Sequence, residues 1–194
     1  MPLASNPITT GIPNTSICVD IPNNLSENHV VFNIDSLATK DGTADGVSVA
    51  LNHIWLMGSA MKARVNAGLM DAANIQIVGV MHGTSLVWGM SDEWWQSQTD
   101  KNGDQLYPDG NPQKKWLEKL FALNNAGINI QLEVCAVAMS GKGLTHNDVY
   151  SSPNGRVYVN QGAMGRIISL QQQGYAYIQE GWVDYDRRLH HDDH

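Results

Sequence analysis

The stretch Ile75-Gln-Ile-Val-Gly-Val-Met81 constrains the fold of this chain more than any other. It is apolar at nearly every position, rich in β-branched side chains, and runs directly into His82-Gly83. A strand with no polar face must be covered on both sides, which is the situation of the inner strands of a parallel α/β sheet. The flanking segments agree with this reading. His29-Val-Val-Phe-Asn-Ile-Asp35 is a first strand, short, β-branched and aromatic, ending in a polar turn. From Asp45 the period changes. Val47, Leu51, Ile54, Gly58, Met61 and Val65 recur at three- and four-residue steps, predicting a long amphipathic helix with Asp45 as N-cap and Gly68 near its end.

The alternation continues to residue 180. Residues 91–110 are polar and rich in turn residues, and read as a surface excursion with Trp94-Trp95 at its start. Gln113–Ala126 is a helix with Trp116, Leu117, Leu120 and Phe121 on its apolar face. Ile128–Val134 is a third strand, less continuously apolar than the second and so expected to have a more exposed face. A short helix follows over 136–144, then a fourth strand at Arg156–Val159, a helix outlined by Met164, Ile167, Ile168 and Gln171, and a last strand at Tyr175–Ile178. Strands alternating with helices predict a three-layer α/β/α fold with a mainly parallel sheet, in one domain over 29–180. Residues 1–28, punctuated by prolines, form an irregular N-terminal arm, and 181–194 a C-terminal tail.

Composition narrows the functions open to such a domain. Twelve Lys and Arg stand against 19 Asp and Glu, a formal net charge of −7 with no basic block, so nucleic acid is not an expected partner. No apolar run reaches the length of a membrane span, so none is expected. The N-terminal residues carry no basic-then-apolar leader, which gives a cytoplasmic expectation, or a periplasmic one where a signal peptide has been trimmed. Two cysteines, Cys18 and Cys135, cannot make a disulfide scaffold or a cysteine-only zinc site. His190–His194 has the composition of an adventitious metal-binding tail, and no metal site is assigned to it. Gly141-Lys-Gly143 lacks the spacing of a phosphate loop, so no nucleotide or flavin cofactor is expected.

In open α/β sheets ligands gather outside the carboxyl ends of the strands. Three predicted strand ends carry chemistry: Asn33 and Asp35, then His82-Gly83, then Cys135. If the strands are adjacent and parallel, these groups meet at one edge. A cysteine at a strand-to-helix junction lies in the field of a helix N-terminus, which favours the thiolate. Each residue also has a plain structural role open to it. Cys135 serves equally as a small buried hydrophobe, His82 as a hydrogen-bonded strand end, Asp35 as a cap and Gly83 as a turn residue.

Val30-Val-Phe-Asn-Ile-Asp35, Ala50-Leu-Asn52, Ile77-Val-Gly-Val-Met-His-Gly83, Val134-Cys-Ala-Val-Ala-Met139 with Gly143-Leu-Thr-His-Asn-Asp148, and Gly162–Ile178 together resemble the DsrE/DsrF-like (DsrEFH) sulfur-relay family, in its branch of small homologues. The resemblance implies a three-layer parallel α/β fold assembled as a homo-oligomer, a trimer or hexamer. It also implies a single cysteine that carries sulfur as a persulfide between donor and acceptor proteins. The matching cysteine is Cys135 and the matching His-Gly strand end is His82-Gly83, which makes Cys135 and His82 the expected catalytic residues and Asn33, Asp35 and Gly83 the expected substrate-binding ones. The competing expectation, from the residues alone, is a non-catalytic homo-oligomeric structural or binding protein of the same fold. Its polar N-terminal arm, tryptophan-rich excursion and C-terminal tail would then serve assembly, the stretch 88–95 supplying aromatic surface, with Cys135 a packed bystander.

Overall fold

The computed structural model describes residues 28–40 and 46–180, with two short strands, β1 (Ile8–Thr9) and β2 (Cys18–Val19), paired antiparallel. The remainder of the expected arm, the cap expected at Asp45 and the tail at 181–194 lie outside the described residues. The main sheet has five strands, all parallel: β3 (Asn28–Ile34), β4 (Ile75–Met81), β5 (Asn129–Cys135), β8 (Tyr158–Asn160) and β9 (Ala176–Glu180), in the order β8-β5-β4-β3-β9. A small hairpin, β6 (Ser151–Ser152) with β7 (Gly155–Arg156), precedes β8. The expected fourth strand is thus two pieces. Arg156 belongs to the hairpin, and only the next residues turn into the sheet.

Helices cover both faces. On one face α1 (Val49–Asn66) and α3 (Lys114–Asn125) pack against β3, β4 and β5. Leu51, Ile54, Leu117 and Leu120 are fully buried there against Ile34, Ile77 and Leu132. Burying each such side chain is worth about 1.5–3 kcal/mol, so this face carries most of the stability. On the other face α5 (Ala163–Gln172) lays Ala163, Ile167 and Leu170 over Val31, Val78 and Val80. Period-two alternation therefore sends odd positions of β3 and β5 and even positions of β4 toward α5.

The start of α1 corrects one expectation. The cap is Ser48, whose side chain accepts from the Leu51 amide at 3.2 Å. Ser48 is held in turn by Gln113, which accepts from the Ser48 amide at 3.0 Å and donates to the Gly46 carbonyl at 2.7 Å. One buried glutamine thus ties the beginning of α1 to that of α3.

The stretch expected as a surface excursion is anchored. Trp88 and Trp95 are 2% and 6% exposed, within the main core. Trp95 donates from Nε1 to the Val87 carbonyl at 3.0 Å and meets Tyr107 edge-on at 4.5 Å. Asn111 donates to the Trp88 and Met90 carbonyls at 2.9 and 2.7 Å, closing the segment from its far end. Core and interface packing are both open to these tryptophans from the sequence, interface because exposed aromatic surface marks contacts. These two spend that surface inside the chain, and only Trp94 of the pair at α2 (Asp92–Gln96) is less deeply covered.

Tyr150, 3% exposed, donates to Glu118 of α3 at 2.9 Å. Burial first, and the Glu118 hydrogen bond second, raise its phenol well above the ordinary 10.0. A raised value means that the neutral phenol stabilises the fold below the unfolded value, and that the contribution is lost as pH rises beyond it. Stability measured by urea unfolding should therefore fall above pH 10.0. The fall should be shallower in Tyr150→Phe.

Candidate functional site

The carboxyl ends of β3, β4 and β9 meet in one hydrogen-bonded rim. Asn33 pairs with Val80 on one side and Gln179 on the other, which sets all three strand ends level. Asn33 donates from its amide to Gln179 Oε1 at 2.6 Å and to Tyr177 Oη at 3.0 Å. Tyr177 Oη donates to the same Gln179 oxygen. Gln179 Nε2 donates to Asp35 Oδ2 at 3.0 Å. With its amide hydrogens spent, Asn33 offers only Oδ1 to His82, whose Nε2 lies 2.6 Å away. Nε2 must then carry the proton, and Nδ1 is left as the basic nitrogen of the ring.

Backbone geometry supports the ring. Gly83 has φ +59°, the left-handed turn that β-carbon sterics disfavour, and it folds the chain back over Asp35. A β-carbon at Gly83 would lie 3.6 Å from the Asp35 carbonyl oxygen, so the demand is conformational rather than steric. Thr84 donates to that same carbonyl at 2.9 Å. Ser85, fully buried, donates to the carbonyls of Ile34 and His82 at 2.6 and 2.9 Å. Four expected site residues, Asn33, Asp35, His82 and Gly83, are brought together.

Cys135 is the fifth. Met81 pairs with Val134, so His82 and Cys135 follow level positions on adjacent strands and share the α5 face. Their polar bonds nonetheless go to different partners. Cys135 is 6% exposed, closed in by Val80, Ala163 and Ile167, and its Sγ accepts the Ala163 amide N–H at 3.3 Å. Ala163 opens α5, and Cys135 itself caps α4 (Ala136–Gly141). A negative charge forming on Sγ would therefore meet an N–H donor at the positive end of a helix.

Next to the sulfur on the same face stands Glu133, 2% exposed. The odd face of β5 is more exposed at its start, as its less continuous apolar pattern predicts, with Asn129 exposed and Gln131 half-buried, but at Glu133 an arginine of α5 closes over it and the carboxylate finds partners there. Arg166 binds it from Nε at 3.0 Å and from Nη2 at 2.8 Å. Gln131 and Asn160 add donors at 2.7 and 3.0 Å. The Glu133 hydrogen bond, foremost, raises Arg166 and keeps its guanidinium charged. Glu133 thus fixes the first turn of α5, and with it the Ala163 amide, over Cys135.

Sequence reasoning missed Tyr177, Gln179, Glu133 and Arg166. A usable signal was present in β5, where Gln131, Glu133 and Cys135 occupy alternate positions and so one face. A further cleft of about 510 Å³ opens between α4 with the residues after it and β7–β8. Ala136 lines it, while Cys135 and His82 do not. Among the described residues no three His, Cys, Asp or Glu side chains gather as a metal site would need. Nor is any described helix long and apolar enough to cross a membrane.

No protein-family model matches the chain. No curated protein matches it. Among solved structures it is similar to a protein of unknown function, MTH1491 from Methanobacterium thermoautotrophicum, at 19% identity. That match covers 79% of this chain and 100% of the other, with a TM-score of 0.42.

Proposed function

We propose that this protein is a sulfur carrier of the DsrE/DsrF-like type, with Cys135 as the carrying thiol. The observation that carries the reading is the Ala163 N–H on Sγ at a strand's carboxyl end, level with an oriented imidazole on the next strand. In the proposed step His82 Nδ1 takes the thiol proton. The Cys135 sulfur attacks the outer sulfur of a donor persulfide, breaking the donor S–S bond and leaving Cys135 with the new one. The donor departs as a thiol, taking the proton back from His82. An acceptor thiolate then attacks the outer sulfur of the Cys135 persulfide and restores the free cysteine. Donor and acceptor proteins are the expected partners. Because Cys135 is closed in by Ala163 and Ile167, transfer requires the first turn of α5 to move aside.

The test is intact mass after exposure to glutathione persulfide. Wild type should gain one sulfur atom and Cys135→Ser none, with melting behaviour unchanged. Equal uptake by the two proteins, or modification confined to Cys18, sinks the reading.

A second reading, a homo-oligomeric structural or binding subunit, is favoured by exposed apolar side chains on and beside α5. Met164 is 65% exposed and Ile168 52%, one turn apart, and Val137 of α4 is 69% exposed beside Gly162. Such a group is suited to contact with another copy, and a trimer or hexamer is proposed. Light scattering should give a mass above the 21.3 kDa of one chain, reduced in Ile168→Glu. A monomeric wild type rules out the assembly.

A further inference from the structure

We infer that the cleft between α4 and β7–β8 binds a small amphipathic anion, a flat apolar body carrying one sulfonate, carboxylate or phosphate. Its volume, about 510 Å³, lies in the range of small-molecule sites. Its apolar side is given by Met139, 3% exposed and part of the core, and by Leu144 packed against that core. Opposite stands Tyr158, with the Arg156 guanidinium held over its ring at 4.6 Å from the centroid. Ser140 and His146 add a hydroxyl and an imidazole to the wall.

The charge of Arg156 selects the ligand. Lys114 is paired with Asp92 and Arg166 with Glu133, but no carboxylate among the described residues reaches Arg156 within ion-pair distance. In a chain of net charge −7, an unneutralised guanidinium at the mouth of an apolar cleft is a place for an outside anion. The Tyr158 ring holds the guanidinium beside the cleft, and a planar fork of N–H donors matches the oxygens of an oxyanion. The same ring offers the ligand a face to pack on. A nucleic acid would need a run of such cations, which the chain lacks. The inference stands apart from sulfur carriage, since neither Cys135 nor His82 lines the cleft.

The test titrates the full chain with two fluorescent probes of similar body, anilinonaphthalene sulfonate and the uncharged N-phenylnaphthylamine. Wild type should bind the sulfonate saturably at one site. Arg156→Gln should weaken the sulfonate by about fivefold to tenfold while changing the uncharged probe by less than about twofold. Tyr158→Ala should weaken both. Arg156 is exposed in a hairpin, so its variant should melt as wild type does, and Ile168→Gln on the bare α5 surface should leave sulfonate binding intact. Absence of saturable sulfonate binding, an Arg156→Gln variant that binds it unchanged, equal weakening of both probes by that variant, or loss of the site in Ile168→Gln would each overturn the proposal.

Discussion

Arg166→Leu should lower stability by about 2–3 kcal/mol. Removing one partner of a buried ion pair leaves an uncompensated charge, at a cost of about 3–5 kcal/mol where both groups are fully buried. Glu133 is 2% exposed on its side chain but Arg166 is 31% exposed, so water replaces part of the lost cation and the figure is discounted. Gln131 and Asn160 still donate to the carboxylate, which limits the loss further. Chemical unfolding measures the change. The same variant should make Cys135 react faster with a small alkylating reagent, because Arg166 ties the first turn of α5 to β5. A stability within about 0.5 kcal/mol of wild type, the range of ordinary surface changes, would show that Glu133 does not depend on the pair.

Gly89→Ala should cost about 3 kcal/mol, at the upper end of the usual penalty for overpacking. A β-carbon there would sit 2.5 Å from Val134 Cγ1 and 3.2 Å from the Met81 methyl. Neither neighbour has room to retreat, since Val134 and Met81 are fully buried. The Gly89 carbonyl also accepts from the Tyr150 amide at 2.8 Å, so the backbone cannot shift without losing a bond. Thermal unfolding should show a clear drop in midpoint. Unchanged melting would mean that the turn over 85–89 does not press on the sheet end.

The layers of this fold are legible in the sequence because strands and helices announce themselves by period. Ile75–Met81 and the recurrence through Leu51, Ile54 and Gly58 leave little freedom. The rim residues Asn33, Asp35 and His82 are legible for the same reason, as polar groups at strand carboxyl ends, and Gly83 as the turn residue that follows one. What escapes is anything decided by which strand lies beside which. Tyr177 and Gln179 look like ordinary edge residues until β9 is placed against β3. Glu133 looks exposed until Arg166 arrives from a helix 33 residues later. Trp95 looks like surface because its segment, 91–110, is polar, and its own bond to Val87 together with those of Asn111 draws it inward.

The position of β9 has a consequence for how the molecule is made. Strands β3, β4 and β5 add outward in one direction as the chain lengthens, and β9 then returns to the opposite edge of β3. Asn33 therefore waits for a partner 146 residues downstream. During synthesis His82 emerges early, yet Gln179 and Tyr177, which direct the Asn33 amide, are among the last described residues to appear. A nascent chain stopped short of β9 would hold its apolar layers while its imidazole lacked a fixed orientation. The rim is thus complete only once β9 is in place, so that chains released before it would be folded in bulk but chemically unset.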